Sequence, residues 1–222
     1  MSKKLIVFDL DQTYIRINSS FAFCKFLLKK QFLSLYDFLH VLSIQASYRF
    51  AGGTIEEVHH KSFNRLLKGK SHAQISILAK EFANAILNQY ICPLIAQRAS
   101  EARKRNDVTL LLSSSPEFLV QPMATANGFD YYSSTEYAID NKNQFCKISR
   151  LVEGVEKAKF VKELSAKLGI SLANVTAYTD SIHDLPLLVA VGEPVAVFPD
   201  KKLKKLATQN GWEIIETIRK RS

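Results

Sequence analysis

Lys3-Lys4-Leu5-Ile6-Val7-Phe8-Asp9-Leu10-Asp11-Gln12-Thr13 sets a short apolar run between lysines and carboxylates. Such a run reads as a strand buried on both faces. Asp107-Val108-Thr109-Leu110-Leu111-Leu112-Ser113-Ser114-Ser115 has the same form, and shorter apolar runs recur at 174–179 and 194–198. Helical patterns at about 157–168 and 184–191 alternate with them. This strand–helix rhythm argues for a largely parallel sheet, and the fold class is α/β.

From about Ser19 to Ala99 the period changes. Phe23, Phe26, Leu27 and Lys30, then Phe38, Val41, Leu42 and Ile44, recur at helical spacing, and strand signals are scarce. Ala51-Gly52-Gly53-Thr54 marks a turn, and Thr54 with Glu57 has capping-box spacing for a helix to about Leu67. Lys68-Gly69-Lys70-Ser71 then ends that helix and caps the next, up to about Tyr90. The expected organisation is a sheet domain of residues 1–18 and 100–222 with a helical cap, 19–99, inserted after the first strand.

Composition removes several classes. With 47% hydrophobic residues in 222 and no biased tract, the chain can bury a core, which excludes disorder and fibrous repeats. Cys24, Cys92 and Cys146 form neither a CxxC nor a dense framework, so a disulfide scaffold and a four-cysteine zinc site are excluded and a reducing compartment is expected. Met1-Ser2-Lys3-Lys4 and the short apolar run after it lack the form of a signal peptide, so the mature chain is expected to begin there. The region from Phe21 to Phe50 is broken by Lys25, Lys29, Lys30, Asp37 and Arg49, so no integral membrane segment is expected and a cytoplasmic protein is the default. A net charge of +9 suits an anionic partner without choosing among phosphate esters, nucleic acid and membrane surfaces. The basic cluster Lys201, Lys202, Lys204, Lys205, Arg219, Lys220 and Arg221 reads as a solvated face, and no nucleic acid is expected.

Four short segments stand where parallel strands are expected to end: Asp9 to Thr13, Ser113 to Ser115, Lys157, and Asp180-Ser181-Ile182-His183-Asp184. In open α/β sheets ligands bind at the carboxyl ends of strands. Taken in this order, the segments resemble the haloacid dehalogenase-like hydrolases, in the branch similar to phosphoserine phosphatases. The resemblance implies a Rossmann-like parallel-sheet core with a C1-type helical cap. It also implies a Mg²⁺-dependent phosphomonoester hydrolase acting on a small phosphorylated metabolite.

In the resemblance Asp9 is the nucleophile that forms an aspartyl-phosphate, and Asp11 is the general acid and base. Mg²⁺ is expected on Asp9, Asp180 and the Asp11 main-chain carbonyl, since a carboxylate approaching a phosphate dianion needs a hard cation. Ser113, Ser114 and Lys157 are expected to hold the phosphoryl oxygens, with Asp184 and Thr13 supporting them from behind. Gln12 and Thr179 stand where many relatives have Gly, and His183 where Asn or Ser is usual; the reading assigns no role to His59-His60.

The cap says less. Phosphoserine phosphatases of this branch use a Glu nine residues after the nucleophile for the substrate's ammonium; here Asn18 occupies that position, so L-phosphoserine is not the expected best substrate. Lys61 and Arg65 are the candidates for a substrate carboxylate. Two competing readings are a peripheral lipid-phosphate phosphatase, drawn from the aromatic stretch of the cap, and a catalytically idle phosphate-binding protein. The presence of Asp9, Asp11, Ser113, Lys157, Asp180 and Asp184 together opposes the latter. Sequence leaves the oligomeric state open.

Overall fold

Leu5–Asp9 forms strand β1 with all five residues buried in the computed structural model, which describes residues 3–51 and 54–216. The chain continues through α1 (Ser19–Lys29), α2 (Leu35–Ala51), α3 (Ile55–Leu66), α4 (His72–Tyr90), α5 (Pro93–Lys104) and β2 (Val108–Pro116). Next come α6 (Glu117–Ala126), β3 (Tyr131–Ile139), β4 (Phe145–Arg150), α7 (Gly154–Leu168) and β5 (Val175–Thr179). Last are α8 (Leu185–Leu188), β6 (Glu193–Val197), α9 (Lys201–Asn210) and β7 (Glu213–Ile215). The strands make one sheet in the order β4-β3-β2-β1-β5-β6-β7, parallel except for β4.

The run that opens the chain lies at the sheet's centre for a physical reason. Successive strand side chains point to opposite faces, and here Ile6 and Phe8 join one buried cluster while Leu5 and Val7 join the other. Only a central strand covered by helices on both sides buries every residue in this way.

The insertion leaves and rejoins the sheet domain through paired backbone. Arg16 N donates to the Tyr90 carbonyl and Cys92 N to the Tyr14 carbonyl, both at 2.8 Å. The expected boundary at residue 99 falls inside α5, whose Ile95, Ala99 and Ala102 are buried and which packs on β2. The crossing therefore lies at about 90–92, before α5 begins. The helix starts carry their caps: Asn18 accepts from Phe21 N, Thr54 from Glu57 N and Ser71 from Gln74 N.

Two contacts fix the cap on the sheet. Phe82 of α4 and Phe118 of α6 close on Phe23 of α1, with ring centroids at 5.3 and 5.9 Å. The β3–β4 hairpin, which sequence reading did not anticipate, supplies the other. Gly69 N donates to the Phe145 carbonyl at 2.8 Å and Phe145 N to the Lys70 carbonyl at 3.1 Å, joining the α3–α4 connection to β4. Gly69 has φ +77°, a left-handed conformation that suits glycine.

None of the described helices is long and apolar enough to cross a membrane. Lys201, Lys202, Lys204 and Lys205 are exposed on α9. Met1-Ser2, the Gly52-Gly53 turn and Arg219, Lys220 and Arg221 lie outside the described residues.

Candidate active site

β2, β1 and β5 are neighbours in the sheet, and this places Asp9, Ser113 to Ser115 and Asp180 along one edge. After β1 the chain folds back sharply. Tyr14 N donates to the Asp9 carbonyl at 3.1 Å and Ile15 N to the Leu10 carbonyl at 2.9 Å. Gln12 sits at φ 60°, a left-handed conformation that costs a side-chain-bearing residue on the order of 1 kcal/mol. This loop turns Asp11 back towards the start of α1.

Asp9 and Lys157 are buried, and Lys157 Nζ donates to Asp9 Oδ1 at 2.7 Å and to Asp184 Oδ2 at 2.8 Å. Thr179 Oγ1 also donates to Asp184 Oδ2, at 2.7 Å. Asp184 thus stands behind Lys157 and fixes its ammonium against Asp9. Lys157 reaches this position because α7 starts at Gly154, whose φ of +45° suits glycine and whose missing Cβ would stand 3.4 Å from the His183 carbonyl. Burial opposes the Lys157 ammonium, but Asp184 and Asp9 outweigh it and raise its pKa above the ordinary lysine value.

Asp11 belongs to a separate hydroxyl network. Its Oδ1 accepts from Ser19 N at 2.6 Å and its Oδ2 from Ser115 Oγ at 2.6 Å. Because the Ser115 proton goes to Asp11, the Ser19 and Ser20 hydroxyls, at 2.9 and 3.0 Å, must donate to Ser115. Burial raises the Asp11 pKa, and the hydrogen bonds from Ser115 and Ser19 hold part of that rise back. A carboxyl in that condition is suited to carrying a proton.

Burial also raises the carboxyl pKa of Asp9, against the pull of Lys157, and lifts Asp180 to about 7 with Asp184 adding to the effect. One lysine does not neutralise this group of carboxylates. Among the described residues no three His, Cys, Asp or Glu side chains cluster as metal ligands. Asp9 and Asp180 offer hard carboxylate oxygens here, and the Asp11 carbonyl lies in the turn that follows Asp9. Together with the under-neutralised charge, this fits a divalent cation with an oxygen shell.

The remaining candidates divide. Ser113 Oγ is buried and accepts from Ser115 N at 3.1 Å, so its own proton is available to a ligand; the Ser114 carbonyl accepts from Thr135 Oγ1 at 2.7 Å. Thr13 is fully buried, and its Oγ1 has no hydrogen-bond partner among the described residues. Asn18 lines the cavity, but its Oδ1 is engaged at 2.8 Å in capping α1.

Lys61 and Arg65 do not reach the site. α3 turns Val58, His59, Ser62, Phe63 and Leu66 inward; at 100° per residue Lys61 falls on the opposite face, whereas Arg65 falls on the flank beside Val58 and its side chain is drawn to Asp37. Lys61 is exposed, and Arg65 pairs with Asp37 and lies over the Tyr36 ring at 4.9 Å. His183 is exposed at the cavity's edge, with its backbone N–H bonded to Ser181 Oγ at 3.2 Å.

Sequence reasoning missed Ser19, Ser20, Ser115 and the support given by Thr179. The three-serine run was the only signal, and nothing local distinguishes Ser115 from Ser114. It also missed His59, which lines the cavity and whose pKa is lowered to about 4 by burial and the neighbouring His60. The imidazole is therefore neutral at physiological pH. The cavity measures about 340 Å³ and is walled by the sheet edge and by α1, α2 and α3.

At the strand ends of this α/β sheet, the buried Asp9–Lys157–Asp184 chain and the half-buried Asp11 line one cavity beneath the helices α1 to α3. The chain matches the haloacid dehalogenase-like hydrolase family over residues 6–189, and it belongs to that family. It is 28% identical over 218 residues to a probable phosphatase of Mycobacterium tuberculosis, covering 96% of this chain and 75% of that one. In fold it is similar to a protein of unknown function from Bordetella pertussis Tohama I, with a TM-score of 0.87 at 21% identity over 97% of this chain and 99% of that one. A substrate-bound phosphoserine phosphatase shares the fold at a TM-score of 0.73 and 17% identity, over 98% of this chain and 94% of that one.

Proposed function

We propose that this hydrolase cleaves phosphoric monoesters, with Asp9 as nucleophile, Asp11 as proton carrier and Mg²⁺ held by Asp9, Asp180 and the Asp11 carbonyl. The observation that carries the reading is the buried chain Asp9–Lys157–Asp184, bonded at 2.7 and 2.8 Å, at the wall of the cavity that Ser113 and Asp11 also line. Lys157 holds Oδ1 of Asp9 and leaves Oδ2 to attack phosphorus. The ester P–O bond breaks as the Asp9 Oδ2–P bond forms, and the leaving oxygen takes its proton from Asp11. Asp11, now a carboxylate, takes a proton from water, whose oxygen displaces Asp9 from phosphorus and releases inorganic phosphate. Ser113 Oγ and Lys157 bind the phosphoryl oxygens throughout. A Mg²⁺ held by Asp9, Asp180 and the Asp11 carbonyl would offset the charge of the phosphoryl group, so that the Asp9 carboxylate could approach it.

Two measurements test this reading. Hydrolysis of p-nitrophenyl phosphate is expected to fall to background in EDTA and to return with added Mg²⁺; activity that survives exhaustive chelation overturns the metal assignment. Asp11→Asn is expected to slow an alkyl phosphate at least about tenfold more than nitrophenyl phosphate, because nitrophenolate leaves without acid help. Equal losses with the two substrates would remove Asp11 from the acid role.

A further inference from the structure

We propose that the cap half of the cavity receives an apolar leaving group, so that the substrate is the phosphomonoester of an alcohol with a hydrocarbon body rather than a zwitterionic one. The inference rests on the phosphatase reading and deepens it. The cavity that is lined by Asp9 and Asp11 is lined also by Phe21, Phe23 and Leu27 of α1, Val41 of α2, and Phe63 and Leu66 of α3. All but Phe21 are buried, so this wall belongs to the interior and not to an outer surface patch. At about 340 Å³ the space falls within the roughly 300–1,000 Å³ of ordinary small-molecule sites.

The charges on that wall decide against a zwitterion. Among the described residues, the charged side chains that line the cavity are Asp9, Asp11, Lys157, Asp180 and Asp184, all on the sheet domain and all engaged by the phosphoryl chemistry. Asn18 and, among the cap's described residues, Ser20, Gln45, Ser62 and His59 contribute uncharged polar groups. His59 carries no charge near neutrality, because burial and His60 lower its pKa to about 4. Asn18 is engaged as the α1 cap and Arg65 is turned outwards to Asp37. An ammonium or carboxylate on the leaving group would lose its water without gaining a partner among the described residues of this wall. A methylene entering the same space leaves water for apolar side chains.

The test is kcat/KM for ethyl, butyl, hexyl and octyl phosphate, each below its micelle concentration, with L-phosphoserine as the zwitterionic comparison and p-nitrophenyl phosphate as the reference. Efficiency is expected to rise about two- to fourfold per methylene until the cavity is full, four-fold being the equivalent of about 0.8 kcal/mol per buried methylene. Phosphoserine is expected at least about tenfold below butyl phosphate. A flat or falling series, or phosphoserine above the alkyl esters, overturns the inference while turnover of nitrophenyl phosphate keeps the phosphatase reading. Failure with nitrophenyl phosphate as well as the alkyl esters overturns both. Phosphatidic acid in phosphatidylcholine vesicles separates the sources of the hydrocarbon. Turnover there beside octyl phosphate identifies a lipid ester, and turnover of octyl phosphate alone a free one. As an independent check, Val41→Lys places a cation on the wall and is expected to lower efficiency with octyl phosphate more than with ethyl phosphate; equal losses would contradict an apolar occupant.

Discussion

Asp9→Asn is expected to lower kcat for p-nitrophenyl phosphate by about 10⁴-fold or more, the scale seen when an enzyme loses its nucleophile. The amide cannot form the acyl-phosphate bond, and it offers the cation a neutral ligand in place of a carboxylate. The fold should survive the change. Lys157 keeps its 2.8 Å bond to Asp184, and that carboxylate keeps the Thr179 hydroxyl at 2.7 Å. Asp9 is itself a buried carboxylate whose pKa burial raises, so a neutral amide removes a desolvation cost as well as an ion pair. Activity and melting temperature therefore separate: turnover vanishes while the thermal transition stays within a few degrees of wild type. Turnover within about tenfold of wild type would remove Asp9 from the nucleophile's place.

The parts of this site that were legible in sequence are those that depend on strand ends. Leu5 to Phe8 and Val108 to Leu112 are apolar at nearly every position because both sheet faces are covered, and the polar residues that follow mark the sheet's carboxyl edge. β3 gave a weaker signal. Its outer half is only partly buried, and it ends in a turn where Asp140 Oδ1 accepts from Lys142 N and Gln144 N, both at 2.9 Å. That hairpin is an antiparallel addition at the sheet edge, which a strand–helix rhythm does not anticipate. β7 is three residues long, too short for any period to show.

In the cap the failure was one of direction. Phe63 and Leu66 mark the inward face of α3, which puts Lys61 on the outward side, while Arg65 lies on the flank and is held by Asp37. Applying the same periodicity to the cap would have drawn attention to His59 and Ser62 instead. The network of Ser19, Ser20 and Ser115 around Asp11 joins residues up to 104 positions apart, and no local pattern encodes it.

Lys157→Met is expected to destabilise the protein by about 3–5 kcal/mol, because it leaves Asp9 and Asp184 buried without their cation. For a chain of this length that corresponds to roughly 6–20 °C in melting temperature. Lys157 is 3% exposed, so water cannot replace what its side chain supplied. The penalty has a defined pH dependence in metal-free buffer. Burial already raises the Asp9 pKa and Lys157 opposes the rise, so removing the lysine raises it further. A carboxyl whose folded pKa lies above its unfolded value binds more protons in the folded state, and its folded form loses stability as pH rises. The gap between variant and wild type should therefore be wider at pH 8 than at pH 5. Combining Lys157→Met with Asp9→Asn and Asp184→Asn removes the stranded charges and should recover most of the lost stability, while leaving the protein inactive. A small, pH-independent loss in the single variant, or no recovery in the triple variant, would show that Lys157 is held by packing and not by its two carboxylates.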